Sequence, residues 1–168
     1  MKKQKKNIQI VLVRSYNITA RVIHLGMFLW YVIRFKKPKF CYNHLEVKYG
    51  DMTSGAISEG VKSRNFSQYL KDLGKYKLKI YNVYLTDRQY NKAMEYLKEA
   101  EDTEYEFKNF FWHTLKIFTD KWYGSKDTSE LYCYEHGIEC LNATGKYKIN
   151  PYLNPVEAEK LFNKILTK

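Results

Sequence analysis

Apolar and polar residues follow one another in stretches that predict a strand, a helix and then a second strand. Residues 8–13 are rich in Ile and Val and predict a buried strand. Turn and capping residues at 15–17 come next and predict a helix through about residue 34. Residues 41–49 alternate polar with apolar side chains, which is the period of a strand.

The alternation within this second strand divides its residues between two faces. Leu45 and Val47 share one face, and His44 and Glu46 share the other. A glycine turn follows, and residues 56–61 predict a short strand that pairs antiparallel with it. His44 and Glu46 are therefore expected to lie next to each other.

The middle of the chain predicts a helix, a strand and two more helices. Residues 66–73 predict a short helix that ends at Gly74, and residues 76–84 alternate as a strand. Thr86 and Asp87 are suited to cap a helix that continues to about Ala100. The Tyr- and Phe-rich stretch 105–122 is predicted to be helical as well.

Two further helices are predicted near the C-terminal end. Asp127 and Glu130 have the spacing of a capping box, which predicts a helix from there to about His136, with Gly137 ending it. A final amphipathic helix is predicted to end near Leu166.

Length and composition favour one folded domain over residues 1–168. With 45% hydrophobic and 28% charged residues, the chain has the balance of a globular protein. A chain of this length buries enough apolar surface to fold without disulfides or metals. We therefore expect neither a structural disulfide nor a metal or cofactor.

The net charge of +11 favours anionic partners, such as an anionic polymer or lipid. No continuous Lys/Arg stripe or nucleic-acid-binding motif is present, so specific nucleic-acid recognition is not expected. The sequence does not indicate an oligomeric state.

The N-terminal segment and the cysteines bear on location. The apolar run after the first lysines is short and lacks a cleavage site, so no signal peptide is predicted. The apolar run 22–33 is too short to span a membrane, so no transmembrane segment is expected. The three cysteines form no CxxC pair, which fits reduced thiols and a cytoplasmic location.

Several short segments, in order, resemble the circularly permuted papain-like NlpC/P60 hydrolases. They include a strand that opens with histidine at residues 43–47, a glycine turn, Gly-Val at 60–61, the segment 104–107, Thr-Ser-Glu-Leu at 128–131 and Asn-Pro-Tyr-Leu at 150–153. The resemblance implies a permuted papain-like α+β fold, in which an antiparallel sheet packs against helices.

The resemblance also implies catalytic residues. His44 corresponds to the family's base, and Thr128 stands where the family has its nucleophilic cysteine at a helix start. The family's acid would fall near Gly55, so Glu46 or Glu59 is the candidate third group, and Ser129 is an alternative hydroxyl donor. Cys133 would lie deeper in that helix and on another face, so it is predicted to be a core residue.

Two functions remain open at this point. The first is an amidase- or peptidase-type hydrolase of amide or ester carbonyls, in cell-wall peptide or acyl-lipid, with activity weakened because a threonine hydroxyl is a poor nucleophile. The second is a binding or structural protein, such as a virion component, that keeps the fold without catalysis. The location is accordingly predicted as cytoplasmic or virion-associated.

Overall fold

The computed structural model describes residues 6–16, 42–105 and 130–166, together with Leu25, Phe28 and Val32, which are helical. These residues form an α+β fold, as expected. The elements, in chain order, are β1 (Lys6–Ser15), β2 (His44–Tyr49), β3 (Met52–Ile57), β4 (Gly60–Asn65), α1 (Phe66–Leu73), β5 (Tyr76–Leu85), α2 (Asp87–Glu99), β6 (Glu104–Tyr105), β7 (Glu130–Leu131), α3 (Cys133–Ala143) and α4 (Pro155–Ile165).

Five strands form one antiparallel sheet in the order β4-β3-β2-β1-β5. β1 lies between β2 and β5, with Val11 opposite Glu46 and Val13 opposite His44. β6 and β7 form a separate parallel pair. β2 pairs antiparallel with the next strand, but through residues 52–54 of β3 and not through the predicted segment 56–61.

Both faces of β1 are covered, which explains its nearly continuous apolar sequence. Ile8, Ile10 and Leu12 are fully buried in the main core, to which α2, α3 and α4 contribute. Val11 and Val13 are fully buried on the other face, where they pack with Tyr69 of α1. Burying each of these aliphatic side chains contributes about 1.5–3 kcal/mol.

Helix α3 packs closely on β2 through a glycine. A Cβ atom built on Gly137 would lie 3.1 Å from Cγ and 3.2 Å from Cδ1 of Leu45, in addition to a closer contact with Cδ2. Gly137 lies inside α3, so the prediction that it ends a helix is wrong. Its missing side chain lets α3 approach the sheet.

The helix termini with clear capping residues agree with the sequence prediction. Helix α1 has the predicted bounds, and Gly74 follows it with a φ of 63°. Thr86 caps α2 in a capping box with Gln89. Asn154 and Glu157 form a second capping box at the start of α4.

Two predicted elements near the site are wrong. The segment 56–61 is not one strand, because β3 ends at Ile57 and β4 begins at Gly60. Glu130 lies in strand β7, and the helix predicted from Asp127 begins at Cys133 instead. Of the predicted helix 105–122, Tyr105 belongs to β6 and the remainder lies outside the described residues.

Within the part of the chain that the structure describes, no helix is both long enough and apolar enough to cross a membrane.

Candidate active site

His44 and Glu46 project from the same face of β2 and form a close pair. His44 Nε2 lies 2.5 Å from Glu46 Oε1. The Glu46 carboxylate is fully buried, whereas the His44 side chain keeps 17% of its exposure. The expected proximity of these two residues is confirmed, and it follows from the two-residue period of the strand.

The Glu46 carboxylate accepts hydrogen bonds at both of its oxygens. Arg64 Nη2 donates to Oε1 at 2.5 Å, and Thr53 Oγ1 donates to Oε2 at 2.9 Å. Burial alone would raise the pKa of Glu46, but the hydrogen bonds and positive charges of His44 and Arg64 lower it, with help from Thr53. Glu46 is therefore an ionised carboxylate inside the protein.

Gly55 on β3 leaves the space that this carboxylate occupies. A Cβ atom on Gly55 would lie 2.6 Å from Glu46 Cδ and 2.8 Å from Glu46 Oε2, with Oε1 closer still. Any other residue at position 55 would therefore have to displace Glu46.

Cys133 is the first residue of α3, and its side chain interacts electrostatically with the ring of His44. The neighbouring Tyr134 donates its hydroxyl to the backbone carbonyl of Tyr42 at 2.8 Å, which fixes the first turn of α3 beside the start of β2. Because Nε2 of His44 is taken by Glu46, Nδ1 is the ring nitrogen left for Cys133. The side chains are thus arranged in the order Cys133, His44, Glu46.

The side chains that surround His44 favour its protonated form. Burial alone would lower the pKa of His44, but hydrogen bonds and charge interactions with Cys133 and Glu46 raise it to about 10. At neutral pH the ring is therefore an imidazolium.

The other predicted site residues are not brought to His44 in the described part of the chain. Glu59 is exposed in the turn between β3 and β4, so Glu46 and not Glu59 is the acid partner of the ring. Thr128 and Ser129 lie outside the described residues. The helix that they were predicted to open starts at Cys133 instead.

Sequence reasoning missed Cys133 because it placed the helix start at Asp127. A different signal was present in the apolar spacing: Cys133, Gly137, Cys140 and Leu141 recur at helical intervals beginning at Cys133. No such series begins at Asp127, where only the capping box pointed to a helix.

His136, which was predicted to be structural, is fully buried. Its Nε2 lies 3.0 Å from Ser54 Oγ. Burial and the nearby His44 lower its pKa to about 4, despite an opposing effect of Glu46, so it is neutral at physiological pH. His24, His113 and Cys41 lie outside the described residues. Across the described ranges, no group of three or more His, Cys, Asp or Glu side chains could hold a metal ion.

Comparisons of the whole chain with protein-family models and with curated proteins return no match.

Proposed function

We propose that this protein is a cysteine hydrolase of amide or ester carbonyls, with Cys133 as nucleophile, His44 as acid and base, and Glu46 as the group that orients His44. The observation that carries the proposal is the 2.5 Å contact of His44 with the buried Glu46, together with Cys133 at the start of α3, which interacts with the same ring. Nucleophile, base and orienting acid in this order are the parts of a catalytic triad.

The reaction proceeds in two steps. The Cys133 thiolate attacks the substrate carbonyl carbon, and the His44 imidazolium gives its proton to the leaving amine or alcohol as the bond to the carbonyl breaks. Neutral His44 then removes a proton from water, which attacks the resulting thioester. The acid product leaves, and the thiolate and the imidazolium are restored. Backbone N–H groups at the start of α3 suit the oxyanion formed in each step.

The resemblance to permuted NlpC/P60 hydrolases supports the same assignment once the family's cysteine is matched to a different residue of this chain. The family's cysteine at a helix start corresponds to Cys133, which begins α3, and not to Thr128. The family's acid near Gly55 is replaced by Glu46, whose carboxylate fills the space beside that glycine. With a cysteine at the helix start, the reason for expecting weakened activity is removed.

The substrate class proposed is an anionic one, either cell-wall peptide or acyl-lipid, because the net charge of +11 attracts negatively charged polymers and membranes. A cytoplasmic or virion-associated location remains part of this proposal. A non-catalytic binding protein is the alternative that the following experiment would reveal.

The proposal predicts that Cys133→Ala abolishes turnover of activated esters and peptidoglycan fragments, by at least about 1,000-fold, because it removes the nucleophile. Cys140→Ala is the matched control. Cys140 is buried in the same helix, and burial raises the pKa of its thiol to about 12, so it should be unreactive. Mass spectrometry after treatment with iodoacetamide should show label on Cys133 and none on Cys140.

Thr128→Ala tests the earlier assignment of the nucleophile. We expect it to leave turnover unchanged. Turnover that survives Cys133→Ala but is lost in Thr128→Ala would overturn the proposal in favour of a threonine nucleophile. A wild-type protein that neither hydrolyses esters nor is labelled at Cys133 would favour the non-catalytic binding protein.

A further inference from the structure

One buried carboxylate oxygen is shared by two positively charged side chains. Glu46 Oε1 lies 2.5 Å from His44 Nε2 and 2.5 Å from Arg64 Nη2, and the Glu46 side chain has no exposure. A carboxylate that is removed from water needs several hydrogen bonds to remain ionised. Arg64 supplies one of them from β4, two strands away from β2.

Arg64 is itself held in a defined position. Its guanidinium carbon lies 4.3 Å from the ring centroid of Tyr69, a cation–π contact with a tyrosine of α1. Tyr69 is buried against Val11 and Val13 of β1. The guanidinium is thus fixed by the helix that covers this face of the sheet, and it retains only 22% exposure.

Arg64 shares Oε1 with His44, Thr53 donates to Oε2, and Gly55 leaves the carboxylate the necessary room. Oε2 is restrained by Thr53 at 2.9 Å, so the carboxylate cannot rotate without losing a hydrogen bond. This leaves Oε1 directed at Nε2 of His44. A planar guanidinium imposes such an orientation better than a flexible ammonium does.

Resting on the proposed function, we infer that Arg64 is a positioning residue, which holds Glu46 ionised and in line with the His44 ring and thereby keeps Nδ1 of that ring facing Cys133. Arg64 acts through Glu46 and does not touch the substrate. Its loss should therefore reduce the rate of the chemical step and not the binding of substrate.

A second consequence concerns the acidic side of the pH profile. The positive charge of Arg64 is one of the causes that lower the pKa of Glu46. Without it, Glu46 would take up a proton at higher pH, because burial alone disfavours the carboxylate. His44 would lose its orienting anion at the same point, so activity should begin to fall at a higher pH than in the wild type.

The test compares Arg64→Met and Arg64→Lys with Lys62→Met as a matched control. Lys62 lies on the same strand, but it forms an exposed ion pair with Asp102 and is not bonded to Glu46. We expect Arg64→Met to lower kcat by roughly 10- to 100-fold with KM changed less than about 2-fold, as misorientation of a catalytic group does. Arg64→Lys should recover part of the loss, and Lys62→Met should show none.

The profile of kcat against pH separates positioning from a purely structural role. In Arg64→Met the acidic limb should move to higher pH, and in Lys62→Met it should not. A fall in kcat that matches the loss of folded protein, with the acidic limb unmoved, would overturn the inference. An unchanged kcat in Arg64→Met would do the same.

A measurement without turnover distinguishes this inference from the proposed function. The carboxyl carbon of Glu46 can be titrated by NMR in the wild type and in the two methionine variants. A higher titration midpoint in Arg64→Met alone supports the role of Arg64 even if Cys133→Ala shows that the hydrolase proposal has failed. Equal midpoints in all three proteins would overturn the inference whatever the activity data show.

Discussion

Glu46 and Gly55 lie side by side on neighbouring strands, and each restricts the residue that the other position can hold. Glu46 must be buried to reach Nε2 of His44, and its carboxylate then fills the volume in which a side chain at position 55 would stand. The site thus has its acid on the same strand as its histidine. A glycine on the next strand is the condition for this arrangement.

This predicts that Gly55→Ala destabilises the protein by about 1–3 kcal/mol, as overpacking of a buried site does. The added methyl would stand 2.6 Å from Glu46 Cδ, and the carboxylate would have to leave His44. Urea denaturation measures the stability, and ester turnover should fall together with it.

A double-mutant cycle identifies the cause. In a Glu46→Ala background the space beside position 55 is empty, so Gly55→Ala should cost close to nothing there. If the cost of Gly55→Ala is the same in both backgrounds, the contact with Glu46 is not its source.

At the scale of elements, the position of α3 decides whether Cys133 can meet His44. The helix is held by Tyr134 at its first turn and by the close contact of Gly137 with Leu45 one turn later. Glycine inside a helix costs roughly 1 kcal/mol relative to alanine. That cost is offset here by packing that a larger residue would prevent.

Gly137→Ala should therefore lower stability, by about 1–3 kcal/mol from overpacking against Leu45, although alanine is the better helix former. Because α3 would be pushed away from β2, labelling of Cys133 by iodoacetamide should slow as well. Chemical denaturation and the labelling rate are the measurements.

Leu45→Ala provides the matched test in combination. If overpacking is the cause, Gly137→Ala should become neutral or stabilising in the Leu45→Ala background, since the clashing atoms are gone. Persistent destabilisation in the double variant would contradict this account.

The same elements show how far the sequence was informative. Helices α1, α2 and α4 were predicted, and in the structure Asn65, Thr86 and Asn154 cap them with side-chain hydrogen bonds. Helix α3 has no such signal, since its N-cap is Tyr132, which makes no side-chain capping bond. A capping box in the sequence at Asp127 therefore displaced the predicted start, and with it the residue proposed as nucleophile.

The hairpin of β3 and β4 was missed for a related reason. Its turn contains Ser58 and Glu59 and no Asn-Gly or Asp-Gly pair, so the apolar residues on both sides resembled one strand. The pair of His44 and Glu46 was predictable, because only the period of β2 was needed. Arg64 was not, because it reaches Glu46 from two strands away through tertiary contacts.

At the scale of the whole molecule, the sheet and α3 bring together residues that are distant in the sequence. His44 comes from the start of β2, Arg64 from β4 and Cys133 from the start of α3. Two histidines end up in this interior with different charge states, because Cys133 and Glu46 raise the pKa of His44 whereas burial lowers the pKa of His136. Their titration should govern how global stability depends on pH.

His44 and His136 should place the maximum of stability near pH 6.5, the ordinary pKa of histidine. The pKa of His44 is raised to about 10, so its contribution is complete below pH 6.5 and is lost as the pH rises towards 10. The pKa of His136 is lowered to about 4, so the unfolded chain takes up a proton first and stability falls as the pH drops from 6.5 towards 4.

The measurement is the free energy of unfolding in urea from pH 4 to 10 for the wild type, His44→Gln and His136→Gln. The gap between wild type and His44→Gln should shrink between pH 6.5 and 10. The gap for His136→Gln should shrink on the acidic side instead, and parallel curves for all three proteins would contradict the assigned charge states.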